Sequence, residues 1–194
     1  MFNNTFKNKT VLITGHTGFK GSWLTLWLSR LGAKIIGLSI DIPTSPSNFK
    51  ASSISNQIED HRIDVRNVKE VKKLITDIQP DFVFHLAAQS LVIPSYNNPL
   101  ETLSINAIGT ANILDALRTL EKKVVAVMIT SDKAYDNVEW VWGYRETDRL
   151  GGKDPYSASK GMAELVIRSY VESFFNSTDS NVRIGIARAG NVIG

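Results

Sequence analysis

The sequence predicts a doubly wound α/β domain, in which a parallel sheet is covered by helices on both faces. Short apolar runs with almost no polar alternation recur along the 194 residues, and such runs are typical of strands buried on both sides. The segments between them repeat their apolar residues at helical spacing. Because strands and helices alternate throughout, we expect right-handed crossovers between parallel strands.

The predicted elements follow from these patterns in chain order. The strands cover residues 9–14, 34–40, 63–65, 82–87, 124–129 and 182–187. The helices cover residues 19–31, 68–78, 100–120 and 155–175. In the first helix Trp23, Trp27 and Leu31 lie at helical spacing. The Pro- and Ser-rich stretch 43–55 is predicted to be a surface loop.

Composition excludes several classes of protein and site. The chain has no cysteine, which excludes a thiolate nucleophile, a disulfide framework and a cysteine-ligated metal. Its net charge is only +3, with basic residues interspersed among 19 acidic ones, so nucleic acid is not expected as a partner. Neither a signal peptide nor a run of roughly 20 apolar residues is present, which predicts no membrane association and a cytoplasmic location. The three histidines lack metal-ligand spacing, so no metal is expected.

Residues 1–194 are predicted to form one NAD-binding domain. The sequence stops in a loop directly after the last predicted strand. In a parallel sheet such a strand is usually covered by a following helix. We therefore expect a truncated chain from which a second, substrate-binding domain is absent.

A glycine-rich segment joins the first predicted strand to the first predicted helix, where it is placed to bind phosphate. Gly15 can take a tight turn, Gly18 lets the main chain approach a pyrophosphate, and Gly21 lets the helix lie close to the sheet. The helix N-terminus then faces the anion. No GxxxxGK[ST] spacing is present, so an ATP-binding P-loop is not expected. The segment predicts a dinucleotide site.

Two carboxylates are candidates for the adenosine half of that dinucleotide. Asp41 ends the second predicted strand, where it would accept hydrogen bonds from the ribose hydroxyls and repel a 2′-phosphate. This favours NAD over NADP. Asp64, in the third predicted strand, would meet the adenine amino group, with a surface or capping role as an equal alternative.

Tyr156 and Lys160 form a candidate acid–base pair at the start of a predicted helix. Asp154 can cap that helix and Pro155 suits its first turn, so the two side chains emerge on one face. A neighbouring ammonium favours phenolate, and Tyr156 is therefore predicted to take a hydroxyl proton near neutral pH. Ser131 lies at the carboxyl edge of the sheet, where it can hold the substrate hydroxyl beside Tyr156.

Asp132 and Lys133 directly follow Ser131 at the same edge of the predicted sheet. Titratable groups at that edge are candidates for catalysis. From the residues alone, a solvated turn is an equally good interpretation.

Three motifs resemble the extended short-chain dehydrogenases. They are TGxxGxxG at 14–21, HxAA at 85–88 and YxxxK at 156–160. Within that family, the segments 15–23, 130–133, 139–146 and 151–161 resemble the nucleotide-sugar 4,6-dehydratases that act on CDP-glucose. The resemblance covers essentially the whole chain and implies a Rossmann fold that binds NAD.

The resemblance implies a reaction cycle on the glucose of CDP-glucose. Tyr156, helped by Ser131 and Lys160, takes the C4 hydroxyl proton while hydride passes to NAD. The 4-ketone acidifies the C5 hydrogen, water leaves across C5 and C6, and the hydride returns to C6. Asp132 is the acid that protonates the leaving C6 hydroxyl. Lys133 stands where the dTDP-glucose branch has a glutamate base, and a lysine must be neutral to act so.

The same resemblance implies which residues surround the ligands. The cofactor-binding residues are Gly15, Thr17, Gly18, Phe19, Lys20, Gly21, Asp41, Asp64, Val65, Leu86, Ala87, Ala88, Gln89, Asn106, Tyr156 and Lys160. The substrate-binding residues are Gln89, Ser131 and Asn191. For Asn106 a polar contact inside a helix is the alternative. The helices 100–120 and 155–175 resemble the pair through which family members form homodimers.

Two other functions stay open. Another nucleotide-sugar 4,6-dehydratase or a 4-epimerase would share the cofactor turn and the Tyr156–Lys160 pair, and Asp132 separates dehydratase from epimerase. A non-catalytic NAD-binding sensor or scaffold is expected to lack Tyr156 or Lys160, and both are present. Without the sugar-binding half, the chain alone is expected to be inactive. The implied product is an intermediate of deoxysugars for cell-surface polysaccharide, including lipopolysaccharide.

Overall fold

Six strands form one parallel sheet in the computed structural model, which describes residues 2–193. The strands are β1 (Thr10–Thr14), β2 (Lys34–Ser39), β3 (Glu59–Arg62), β4 (Phe82–His85), β5 (Val124–Ser131) and β6 (Val182–Ala189). Their order across the sheet is β3-β2-β1-β4-β5-β6, and every neighbouring pair is parallel. The predicted doubly wound fold, a Rossmann fold, is confirmed.

Helices connect the strands. They are α1 (Phe19–Arg30), α2 (Asn48–Ala51), α3 (Val68–Ile78), α4 (Val92–Asn97), α5 (Pro99–Leu103), α6 (Gly109–Leu117) and α7 (Pro155–Tyr170). Two π-helical segments, Ser104–Ile108 and Val171–Phe175, continue α5 and α7. Within residues 2–193, no helix combines the length and the apolar character that crossing a membrane requires.

The core lies on both faces of the sheet because successive residues of a strand point to opposite sides. Leu12 of β1 faces a cluster that contains Ile113 and Leu114 of α6. Its neighbours Val11 and Ile13 face the other side, with Leu28 of α1. All three β1 side chains are fully buried, which explains why this strand lacks polar alternation.

The site is positioned by the place between β1 and β4 where the strand order reverses. The chain runs outward from β1 to β2 and β3, then returns to β4 on the other side of β1. The carboxyl ends of β1 and β4 therefore open a crevice, which is where doubly wound folds bind ligands.

Three predicted elements are corrected by the structure. The third strand is Glu59–Arg62 rather than 63–65, because an edge strand exposed to water can be made of charged residues. The stretch 43–55 is not only loop, since it contains α2, capped by the Ser47 side chain. The single helix predicted over 100–120 is interrupted by the π segment Ser104–Ile108.

Candidate active site

The glycine turn packs tightly between β1 and the start of α1. Gly15 has a φ of 71°, and a Cβ there would lie 2.7 Å from the Ala87 nitrogen at the end of β4. A Cβ on Gly21 would lie 2.1 Å from the Gly15 carbonyl oxygen. Both positions therefore require glycine for the packing of the chain itself.

Gly18 differs from the other two glycines, because the fold does not need it. A Cβ there would meet only the Gly15 carbonyl oxygen, at 3.4 Å, which is an ordinary contact. Gly18 precedes α1 and provides no side-chain cap, so the first N–H groups of α1 have no partner from that residue. The open space beside uncapped N–H groups suits a phosphate.

This contrast gives a matched pair of variants. Gly21→Ala should destabilise the chain by about 1–3 kcal/mol because its methyl group collides with backbone. Gly18→Ala should leave stability within about 0.5 kcal/mol and weaken NAD binding roughly tenfold or more. Urea unfolding and a fluorescence titration with reduced cofactor measure the two effects. Unchanged affinity in Gly18→Ala would show that this residue does not face the phosphates.

The predicted ribose ligand Asp41 lies just beyond β2, with its backbone fixed. The Thr17 hydroxyl donates to the Asp41 carbonyl oxygen at 2.6 Å, and the Arg62 guanidinium donates to it at 3.1 Å. Arg62 is itself paired with Asp60 at 2.6 Å. The exposed Asp41 side chain therefore lies near Arg62, whose charge is already paired with Asp60. Because Arg62 is not free to bind a 2′-phosphate, this arrangement favours an unphosphorylated ribose.

His16, inside the glycine turn, has a structural role. Its ring is buried, with Nδ1 3.0 Å from the Ser39 hydroxyl and Nε2 3.0 Å from Asp60. Burial lowers its pKa. A Cβ on Gly37 would lie 2.5 Å from the ring, so β2 needs glycine where His16 packs. The turn is thereby tied to β2 and β3.

Asp64 and Val65 follow β3 and have contacts within the chain. The Asp64 carboxylate accepts from the Arg66 N–H at 2.8 Å and from its guanidinium at 2.6 Å, and these bonds lower the pKa of Asp64. Helix α3 is capped by Asn67, so Asp64 forms a local turn rather than a helix cap, and its contact with adenine stays a prediction. Val65 is buried, and its carbonyl accepts from Asn112 at 2.9 Å.

The end of β4 is organised by Thr14 and His85. The Thr14 hydroxyl accepts from the N–H groups of Leu86 and Ala87, both at 3.1 Å, and lies 2.7 Å from His85 Nδ1. Complete burial lowers the pKa of His85 to about 3, so its ring is neutral at pH 7. The backbone at Leu86 and Ala87, predicted to contact the cofactor, is therefore held directly against the glycine turn.

Asn106, in the π segment, connects the crevice to α7. Its side chain accepts from the Gln89 N–H and donates to the Gln89 carbonyl, both at 2.9 Å. It also donates to the Ser159 hydroxyl at 2.7 Å, next to Lys160. The structure thus brings the predicted residues Gln89 and Asn106 together, with Ala88 in the same half-buried turn.

The acid–base residues meet where β5 ends and α7 begins. The Asp154 side chain accepts from the Ser157 N–H at 2.9 Å and Pro155 occupies the first turn, as predicted. Tyr156 and Lys160 lie on one buried face, with Lys160 Nζ 6.0 Å from the Tyr156 ring centroid.

The predicted protonation of Tyr156 is corrected. Burial raises the pKa of the phenol, the charges of Asp132 and Asp154 raise it further, and only hydrogen bonding by Ser131 opposes them. In this state the phenol is therefore protonated at neutral pH. Desolvation of the phenol and its acidic neighbours outweigh the effect of the Lys160 ammonium, which favours phenolate.

Ser131, Asp132 and Lys133 form a compact turn at the edge of the sheet. The Ser131 hydroxyl donates to Asp132 Oδ1 at 3.0 Å and accepts from the Lys133 N–H at 3.2 Å. The Lys133 ammonium lies 3.6 Å from Asp132 Oδ2. The Asp132 side chain is 48% exposed and its charge acts on the Tyr156 phenol, so it is accessible to a substrate close to that residue.

Lys160 is in a cationic setting. It is only 7% exposed, and burial together with the charge of Lys20 lowers its pKa to about 8. Lys20 belongs to the first turn of α1, so the glycine turn and the acid–base pair share one crevice. Two neighbouring cations favour an anionic ligand between them.

An apolar cleft of about 540 Å³ extends this crevice toward β6. It is lined by Phe19, Lys20, Leu86, Ile129, Ala189 and Val192, among others. The loop after β6 borders the site, because a Cβ on Gly190 would lie 3.5 Å from Asp132. The predicted substrate residue Asn191 is exposed in that loop.

The model of one family, described as GDP-mannose 4,6 dehydratase, matches residues 12–183. The chain belongs to this family. The match confirms the resemblance to nucleotide-sugar dehydratases. It runs from within β1 through β5 and includes the first two residues of β6.

Individual relatives agree with the family assignment. The chain is 47% identical to CDP-glucose 4,6-dehydratase of Salmonella typhimurium over 98% of its own length and 54% of that protein. An epimerase of Methanothermobacter thermautotrophicus superposes with a TM-score of 0.79 at 26% identity, covering 95% of this chain and 52% of that one. UDP-glucose 4-epimerase of Thermus thermophilus in complex with NAD gives 0.77 at 25% identity, covering 92% and 54%. The chain therefore spans about half the length of the proteins it matches.

Proposed function

We propose that the chain is the NAD-binding, catalytic part of an enzyme that dehydrates CDP-glucose to CDP-4-keto-6-deoxyglucose. The observation that carries the proposal is the position of Asp132, an accessible acid bonded to Ser131 and close enough to Tyr156 to act on its pKa. An acid beside the hydroxyl-binding pair is what elimination requires and what simple epimerisation does not. CDP-glucose is proposed because of the 47% identical relative.

The residues of the crevice fit a dinucleotide. Gly18 and the N-terminus of α1 would hold the pyrophosphate, and Asp41 the adenosine ribose. Leu86, Ala87 and Gln89 would line the nicotinamide half, because their backbone borders the crevice at the end of β4. When bound, NAD supplies a hydride acceptor at C4 of the sugar and returns that hydride to C6.

In the first step Tyr156 removes the proton of the C4 hydroxyl. Because burial keeps Tyr156 protonated in the unliganded site, the phenol must first lose its proton. The phenolate is the form that can accept the C4 hydroxyl proton, and Lys160 in its ammonium form favours it. Ser131 would hold the same hydroxyl by a hydrogen bond. Burial of Tyr156 at 8% exposure keeps bulk water from competing for the proton.

In the second step the new C4 ketone makes the C5 hydrogen acidic, and Asp132 protonates the C6 hydroxyl as it leaves as water. Lys133, 3.6 Å from Asp132, is placed to pass its proton to that carboxylate, which would leave Asp132 as the acid and Lys133 as a neutral amine. Removal of the C5 proton requires a base, for which the Lys133 amine in its neutral form is the proposed candidate. A proton then adds at C5 and the hydride at C6. The net change in the sugar is the loss of one water.

The proposal is tested with the protein expressed from its complete coding sequence. It is incubated with CDP-glucose or dTDP-glucose, with and without NAD, and the 4-keto-6-deoxy product is followed by its absorbance in alkali. We expect product from CDP-glucose and none from dTDP-glucose. If neither CDP-glucose nor dTDP-glucose gives product, the proposed dehydration is wrong and only an NAD-binding domain is supported.

A homodimer is also proposed, through the outer faces of the helix pair predicted from the sequence. Leu100 of α5 and Ile108 of the π segment that continues it are 81% and 54% exposed, and Leu165 is 56% exposed on α7. Leu165→Glu should lower the mass found by a light-scattering concentration series, because it places a charge in the apolar contact. Val68→Glu, on α3, is the control. Equal masses for both variants and the unaltered chain would contradict this interface.

A cytoplasmic location and a role in deoxysugars for lipopolysaccharide stay predictions of the sequence. Both are proposed because the proposed reaction supplies such sugars from a nucleotide-activated precursor.

A further inference from the structure

A buried ion pair lies behind the proposed acid–base residues and takes no part in the steps above. Glu164 of α7 is only 2% exposed. Its Oε1 accepts from the Thr130 hydroxyl at 2.5 Å and from Arg188 Nε at 2.8 Å, and its Oε2 accepts from Arg188 Nη2 at 3.0 Å. A buried carboxylate is costly unless it is fully paired, and here both oxygens are bonded.

The partners of Glu164 come from the segments that carry the candidate catalytic groups. Thr130 directly precedes Ser131 on β5, and Arg188 is its register partner on β6. The Arg188 guanidinium also stacks 4.7 Å from the Tyr135 ring, just after the Asp132–Lys133 turn. It donates to the Glu146 carbonyl at 3.1 Å, which holds the loop between that turn and α7.

Glu164 also faces Lys160. The two residues are four apart on α7 and share its buried face, where side chains one turn apart are neighbours. The other charged or titratable groups around Lys160 are Lys20 from α1, the neutral His85 from β4 and the Tyr156 phenol. Among these, Glu164 is the group that carries a negative charge.

We propose that Glu164 is a positioning residue of this site, which supplies the negative charge that keeps Lys160 an ammonium and joins β5, β6 and α7 through Thr130 and Arg188. The part of this inference that concerns turnover rests on the proposed function. The effect of Glu164 on the pKa of Lys160 does not, and it is measurable without substrate.

The direction of the effect follows from the charges. Burial and Lys20 lower the pKa of Lys160 to about 8, and Glu164 opposes them. Removing the carboxylate therefore lowers that pKa further and shifts the loss of the ammonium form to lower pH. Because the ammonium is the form that favours the Tyr156 phenolate, the alkaline limb of the pH–rate profile should move the same way.

The test compares Glu164→Gln with Glu172→Gln. Glu172 is an exposed acid just beyond α7, so its variant removes the same charge far from Lys160. Competitive acetylation across a pH series, read for the Lys160 peptide by mass spectrometry, gives the pKa in the 194-residue chain. We expect Glu164→Gln to lower it by about one pH unit and Glu172→Gln to leave it unchanged.

A second variant guards against loss of folding. Glu164→Gln/Arg188→Met leaves no unpaired buried ion and should lower the pKa of Lys160 in the same direction. If Lys160 titrates as in the unaltered chain in whichever of these variants folds, the proposed role of Glu164 is wrong.

The labelling result is independent of turnover. If the unaltered protein forms no product from CDP-glucose while the pKa of Lys160 still falls in Glu164→Gln, the proposed function fails and the electrostatic inference stands. If product forms but the alkaline limb and the labelling are both unmoved, only the inference fails.

Discussion

Replacing Asp132 with asparagine should slow dehydration by about 10²- to 10⁴-fold, the range that general acids contribute. Asparagine keeps the size of the side chain and the bond from the Ser131 hydroxyl, but it has no proton to give to the leaving C6 hydroxyl. Oxidation at C4 does not need that proton. The variant should therefore still form reduced cofactor on mixing with CDP-glucose, which stopped-flow absorbance detects in the protein expressed from its complete coding sequence.

Asp136→Asn is the matched control for this prediction. Asp136 lies in the same loop, but its carboxylate is 3.6 Å from the exposed Arg149 and belongs to the base of the loop. We expect its variant to retain dehydration within about threefold, since surface ion pairs contribute little. Unchanged dehydration in Asp132→Asn would end its assignment as the acid.

Replacing Arg188 with methionine should lower the free energy of unfolding by about 3–5 kcal/mol, because Glu164 would be left buried without its cation. The Arg188 side chain is 16% exposed and that of Glu164 only 2%, so water cannot replace the guanidinium. Urea unfolding of the chain, followed by tryptophan fluorescence, measures the loss.

Two further variants distinguish the effect on stability of breaking the buried ion pair from the effect of removing any arginine. Arg149→Met removes a cation that is 85% exposed and should cost at most about 1 kcal/mol. Glu164→Leu/Arg188→Met replaces both ions by apolar groups and should be less destabilised than Arg188→Met alone. A loss in Arg188→Met no larger than in Arg149→Met would mean that the pair does not stabilise the fold.

The fold was predictable where burial imposes a pattern. Strands β1, β2, β4, β5 and β6 and helices α1, α3 and α7 lie close to their predicted positions, because apolar runs and helical periodicity record which faces are covered. Strand β3 was missed because its residues are charged, as an edge position allows. The π segment at Ser104–Ile108 was missed because its register depends on contacts from Asn106 to Gln89 and Ser159.

The features of the site that were predictable are those formed by residues close together in the sequence. The glycine turn, the Asp154 cap and the Tyr156–Lys160 face follow from short-range spacing. The direction of the Tyr156 pKa does not, because it depends on burial and on the acids that surround it. The roles of His16, His85 and Glu164 also depend on partners far along the chain. Of these three residues, only Glu164 has a local sequence pattern that could have indicated it. It is an acid four residues after Lys160, on the buried face of the same helix.

The most direct test of the proposed reaction uses CDP-glucose that carries deuterium at C4. The protein expressed from its complete coding sequence converts it, and NMR locates the deuterium in the product. The proposed cycle, in which the hydride removed from C4 is returned to C6 within one active site, predicts deuterium at C6. Deuterium that remains at C4, as epimerisation would leave it, or that is lost to solvent, would contradict the account.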